Sequence, residues 1–478
     1  MESGRHFAPK GFWSLPGLLA LIFLLALATE RPARAGGPFI VGGTLGPDGQ
    51  PFTWSTATEI QYRTDGGTLG TLSNPVANSR VQAMFQVWED VPTASIGYMR
   101  AGALSGAGLV GGDIDTMEEF NLFECGSANE SQNPIIYDTD GSLFLDLGFP
   151  SGVIGFAGPC QVNPLGRIVS GRAALNGKFI DGDSTNGELS SSAFDGAFIH
   201  EFGHFSGLDH SQVNLNCLSG GCASGSDDAF GLPTMFPFLF GSLEDVSGQA
   251  AVSTLAMDDI AWISKLYPET LNNPPTQVPF STSFGTISGT IFFSDGVTHV
   301  QGANVIARQV DNMGTPEDES RRNAVSVVSG YLFTGNPGQS VTGTNTAGSS
   351  FGSRDPTLIG TYDIPVLPVP ENYTVEVESI NPAFVDGSST GPLLEQVPLP
   401  GPAEFHSGPS ESNSDDPMDP ALSIAVPVIA GMDTAGIDII LNGTGPRFDS
   451  FESARLWLPE SLPIWVRAEF PQCSRVAA

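Results

Sequence analysis

Between residues 74 and 91 the chain reads NPVANSRVQAMFQVWEDV, and the apolar side chains of Val76, Val81, Met84, Phe85 and Trp88 fall on one helical stripe. Asn74-Pro75 suits the start of that helix, because proline is tolerated in the first turn. Upstream, PFTWSTATEIQY (51–62) has the β-branched and aromatic content of a first strand. Short apolar runs broken by Gly and Asp follow at 95–123 and 134–179 and predict more strands. SSSAFDGAFIHEFGHFSGL predicts a second helix ending at Gly207, and TLAMDDIAWISKLYP (254–268) a third, amphipathic and stopped by Pro268. LNNPPTQVPF (271–280) is linker-like. Beyond it the texture changes: ISGTIFF, GANVIARQV, AVSVVSGYLF, GTYDIPVL, NYTVEVESI and AGIDIIL are strand patterns with no helical stripe among them. Stretches 311–323 and 398–422 are polar, Pro-rich or acidic and predict long loops. The pattern divides the chain into an α+β region (36–270), a linker (271–285), an all-β sandwich (286–444) and a tail (445–478) that carries Trp457 and Trp465.

Length agrees, since 478 residues exceed one ordinary domain. The 58 Gly and 37 Pro favour a turn-rich, β-rich architecture. Residues 1–35 read as a signal peptide: Arg5 and Lys10 precede an apolar run from Leu18 to Ala28, and Ala33-Arg34-Ala35 supplies a small-x-small cleavage site. No other candidate span follows, so a secreted, extracellular product with no membrane span in the mature chain is expected. A net charge of −33 argues against nucleic acid as a partner and against anionic lipid. In an exported chain Cys217 could pair with Cys222 and Cys125 with Cys160, leaving Cys473 over.

Three of the six histidines fall in HEFGHFSGLDH (200–210). On a helix, four residues turn the chain by about 400°, so His200 and His204 project from nearly one face. Both can reach a single Zn²⁺, with Glu201 beside them as a base and not a ligand. Gly207 lets the chain leave the helix in a left-handed conformation and brings back His210 as a third ligand. Three protein ligands with an open fourth position form the catalytic pattern and not the structural one.

HExxHxxGxxH, written here as His200, Glu201, His204, Gly207 and His210, resembles the zinc signature of the metzincin metallopeptidases. LPTMFP offers Met235 for the methionine turn that this clan places beneath the zinc. Phe236-Pro237 follows it, so the chain resembles the matrixin branch and not those with an extra tyrosine ligand. DGSLFLDLGFPSGVIGFAGP (140–159) is similar to the matrixin stretch leading into the substrate-facing edge strand, and DDIAWISKLYP to the closing helix. The similarity covers roughly 50–270. It implies a metzincin-like zinc protease fold, with a mixed twisted sheet and an active-site helix. The second region resembles carboxypeptidase regulatory-like (prealbumin-type) sandwiches, a spacer or binding module whose partner the sequence does not identify; His299 and His406 there read as surface residues.

The chain also departs from that pattern. No histidine lies between His6 and His200, so a matrixin-type second zinc site cannot be built. Residues 211–232 form an insertion before the methionine turn, either bordering the cleft or an inert stapled loop. Asp138 and Asp140 in one turn, with Asp113 and Asp115, are candidate Ca²⁺ ligands, although plain Asx-turns explain them as well. The expectation is a zinc endopeptidase acting on protein or peptide, with Glu201 as general base. The alternatives are an adhesion protein that works through its sandwich, and a zinc hydrolase of a non-protein amide.

Overall fold

The computed structural model describes residues 37–239, 251–271, 277–333, 351–353, 355–380, 399, 401–414 and 423–442. The leader (1–35), part of the linker, the tail and Cys473 lie outside the described residues. The protein is α+β. Five strands form one mixed sheet, β1 (Ile60–Thr64), β2 (Tyr98–Ala103), β3 (Pro134–Asp138), β4 (Gly155–Val162) and β5 (Ile168–Asn176), in the order β2-β1-β3-β5-β4. All neighbours run parallel except β4, which pairs antiparallel with β5 at the edge, Ala157 opposite Ala173. Every residue of the central β3 is buried, as a strand with parallel neighbours on both sides should be.

Two helices pack on this sheet, α1 (Asn74–Glu89) and α2 (Ser191–Phe205). Proline begins α1, and Ala77, Val81, Phe85 and Trp88 are buried. Val76 of the expected stripe is 50% exposed, and Ala77 takes the inner position instead. Phe85 stacks on Phe202 of α2 with centroids 3.8 Å apart, and Trp88 Nε1 donates to the Ile199 carbonyl (2.9 Å). Each such aromatic contributes about 1.5–3 kcal/mol by burial. Ser190 caps α2 by accepting from the Ala193 amide (3.2 Å). From Phe198 to Phe205 α2 is buried all round, so it is a core helix. Two disulfides, Cys125–Cys160 and Cys217–Cys222, are formed.

Some elements differ from expectation. The first strand begins at Ile60 and not near Pro51, because Trp54 is drawn onto α2, stacking on Phe205 and donating Nε1 to its carbonyl (2.8 Å). Met117–Asn121 and Ser142–Asp146 are short helices inside runs expected to be strands. Thr116 and Glu119 exchange a capping pair at the first. At the second, Asp138 accepts from the Gly141 and Phe144 amides (2.9 Å each).

After the third helix, α3 (Met257–Leu266), come two four-stranded sheets. One orders β11 (Glu404–Phe405), β10 (Tyr373–Glu378), β7 (Asn304–Gln309) and β8 (Ala324–Val328). The other centres on β6 (Gly285–Phe292), which pairs with β9 (Thr361–Val366), β12 (Asp433–Thr434) and β13 (Ile439–Ile440). The six strand patterns read from the sequence all carry strands; β11 and the short helix Glu319–Arg322 arise where loops were expected, and β12 lies just before the AGIDIIL pattern. One apolar cluster runs through the five-stranded region and this two-sheet region alike. Among the described residues no helix is long and apolar enough to cross a membrane.

Candidate metal centre

Helix α2 carries His200 and His204 one turn apart and delivers them to a common point. Gly207, at φ +90°, ends the helix in the left-handed region, and three residues later His210 faces back toward the helix. The candidate ligand atoms of the three rings all lie within 4.8 Å of one another. His204 Nε2 and His210 Nε2 are 3.0 Å apart. Two of the rings are held from behind: His200 Nδ1 meets the Thr234 carbonyl at 2.7 Å and His204 Nδ1 the Leu208 carbonyl at 2.9 Å. A carbonyl only accepts, so each Nδ1 carries the proton and each Nε2 keeps its lone pair. The donor set therefore fits a metal ion.

Burial sets the charge state. His200, the most exposed of the three at 8%, has its pKa lowered to about 4 by desolvation, against the pull of its bond to Thr234. His210 is pushed well below the ordinary histidine value by burial and then by its two neighbours. Neutral imidazole is the form that ligates. Glu201 is also buried, and desolvation lifts its carboxyl to about 8; a cation beside it would draw that value down.

Two glycines make room for this arrangement. A Cβ at Gly155, on the edge strand β4, would lie 2.8 Å from Glu201 Cγ, so the strand can pass the glutamate only as glycine. A Cβ at Gly203 would overlap the Met235 sulfur, so the residue between Phe202 and His204 must be small for the methionine to sit against α2. The turn holding Met235 is fastened by Asp259 of α3, which accepts from the amides of Thr234 (2.8 Å), Met235 (2.9 Å) and Ala256 (2.8 Å). Burial raises the Asp259 pKa to about 6 against those three bonds.

Beside the trio a small cleft is lined by His200, Glu201, Ile154, Ala197, Thr234, Phe236, Phe238, Leu239 and Val252. Its walls are mainly apolar, with His200, Glu201 and Thr234 as the polar groups among them.

The structure brings together all five residues singled out in the sequence: His200, Glu201, His204, His210 and Met235. Asp259, Gly155 and Gly203 are additions. The paired acids of MDDIAW and the glycine inside HEFGH were the available signals, and neither announces its contact. The calcium candidates do not form a comparable cluster: among the described residues only the histidine trio gathers three ligands. Asp138 and Asp140 spend carboxylate oxygens on amides of their own turn. His406 corrects an expectation: it is 7% exposed, its Nδ1 2.6 Å from the Asp438 carbonyl, because β11 carries it into the two-sheet core. No protein-family model, curated protein or solved structure matches the chain.

Proposed function

We propose that the chain is an exported zinc endopeptidase of metzincin type, matrixin-like in its first region and followed by a prealbumin-type sandwich. The observation that carries the proposal is the convergence of three imidazoles, two of them each held by a backbone carbonyl, beside a buried glutamate and an apolar cleft. Three histidines with room for a further ligand suit catalytic zinc. When bound, zinc supplies a Lewis acid that polarises a carbonyl and acidifies water.

The remaining chemistry belongs to the protein. His200, His204 and His210 hold the metal. Glu201 takes a proton from the attacking water and gives it to the leaving amine. Met235 supports the trio from below, and Asp259 fixes the methionine turn. Phe236, Phe238, Leu239 and Val252 select an apolar substrate side chain and exclude water from the reacting bond. An extended peptide would pair with the chain near Ser151 to Ala157, where it leads into β4, the last strand of the sheet order. The two disulfides support an oxidising, extracellular setting.

The test compares the mature protein with Glu201→Ala for bound zinc and for cleavage of a quenched-fluorescent peptide library. About one zinc in each is expected, with cleavage in the wild type only, abolished by chelator and reduced at least about 10²-fold by the substitution. Zinc in both with cleavage in neither would move the work to the two-sheet region. No zinc in either would end the metal reading.

A further inference from the structure

His210 is held differently from its two partners. His200 and His204 ride on one helix with their rings tied to carbonyls. His210 sits in a loop, and its Nδ1 is buried with no hydrogen-bond partner among the described residues. Its placement therefore depends on how the backbone around it is fastened.

The segment that follows it is fastened by residues far away in sequence. Ser211 donates its amide to the Met235 carbonyl (2.8 Å) and its hydroxyl to the Asp258 carboxylate. The Gln212 amide donates to Ser326 Oγ (3.2 Å), and the Gln212 carbonyl accepts from Asn304 Nδ2 (3.2 Å). Asn214, at φ +57°, accepts from Arg308 Nη1 (3.0 Å) and donates to the Arg321 carbonyl (3.0 Å). Ser326 stands where these lines cross: its amide donates to Asp258 (2.7 Å), and its carbonyl accepts from Trp262 Nε1 (2.8 Å). Ser211, Asn214, Asn304 and Ser326 are all 0% exposed and Gln212 is 1% exposed. Asn304, Arg308, Arg321 and Ser326 belong to the two-sheet region. The insertion continues the same attachment, with Asp227 paired to Arg322 (2.5 Å) and the Arg322 guanidinium 4.4 Å over the Phe230 ring. The stapled stretch is thus a mounting plate for the second region.

We infer that Ser326, with Asn304 beside it, is a positioning residue for His210, so that the two-sheet region is a working part of the metal centre. The inference rests on the proposal that the histidine trio binds a metal. Removing the Ser326 hydroxyl takes away a hydrogen-bond acceptor of the buried Gln212 amide and loosens the hold on the loop that carries His210. Partners one shell out from a metal ligand typically carry about 10–100-fold in affinity.

The experiment measures, on the full mature chain, zinc affinity by chelator competition and the visible spectrum of the Co²⁺-loaded protein. Wild type, Ser326→Ala, Asn304→Ala and Lys265→Ala are compared, each also melted without metal. Lys265 pairs with Asp363 across the same two regions (2.5 Å) without touching 211–214. Ser326→Ala and Asn304→Ala are expected to weaken zinc about 10–100-fold and to alter the Co²⁺ bands. Lys265→Ala is expected to lower only the melting temperature. If Ser326→Ala does not fold, Asn304→Ala reads the same quantity. Unchanged zinc affinity in the serine and asparagine variants, or an equal loss in Lys265→Ala, would overturn the inference. Absence of zinc from the wild type would instead overturn the metal reading on which it rests.

Discussion

The five-stranded region and the two-sheet region both bury histidine. In the first, three imidazoles point their candidate ligand atoms at one another: the rings of His200 and His204 are tied through Nδ1, and His204 Nε2 lies 3.0 Å from His210 Nε2. In the second, His406 is as buried as the trio, but its Nδ1 meets the Asp438 carbonyl and Glu411 lies 3.9 Å away. His406 ties one element of a core to another. Burial is therefore no mark of a site; convergence of candidate ligand atoms is.

The sharpest way to break this comparison is to remove one histidine of each kind. His204→Ala should abolish stoichiometric zinc binding, because two ligands do not make the site. His406→Ala should leave zinc bound and lower stability by about 1–3 kcal/mol through the stranded Asp438 carbonyl. Zinc quantitation and chemical denaturation of both variants decide it, and loss of zinc in the second would erase the distinction.

Gly203→Ala comes next. Helix propensity alone predicts a gain of about 1 kcal/mol, while overpacking against the Met235 sulfur predicts a loss of about 1–3 kcal/mol. The overlap is with a buried side chain packed against α2, so the loss should win. A raised melting temperature in this variant would show that Met235 can move aside.

The smallest effect per step is on pH. Burial raises Asp65 to about 8 and, together with the charge of Asp259, Asp258 to about 8; burial takes Glu378 in the two-sheet region to about 7. A carboxyl whose folded pKa lies above its unfolded value gives stability that is complete below the unfolded pKa. That stability is lost as pH rises through the folded one. Each such proton corresponds to about 1.4 kcal/mol per pH unit. The melting temperature of the chelated protein should therefore fall between pH 4 and pH 8, and Asp258→Asn should flatten the fall. A melting temperature that rises with pH in the wild type would contradict these assignments.

The histidine trio was legible in the sequence because it is local: eleven residues hold its three members and Glu201, and helix geometry alone puts His200 and His204 on a shared face. The three long helices and six strand patterns were legible for the same reason. What escaped depends on partners distant in the chain. Trp54 leaves the first strand for Phe205, Asp259 reaches back to Thr234 and Met235, and His406 is buried by contacts no neighbouring residue announces. The insertion could be read either as a rim of the cleft or as a loop, and the salt bridges that fasten it lie about a hundred residues downstream.

That separation also orders events in time. His200 and His204 take their relative places as soon as α2 forms, a step of local contacts. The bond from Gln212 to Ser326 closes 114 residues, and loop closure of that length is made late and only against an already assembled partner surface. A chain emerging from the ribosome thus carries two members of the histidine trio in place long before the third has anything to rest on. On the inference drawn above, the trio comes together only when the second region has folded.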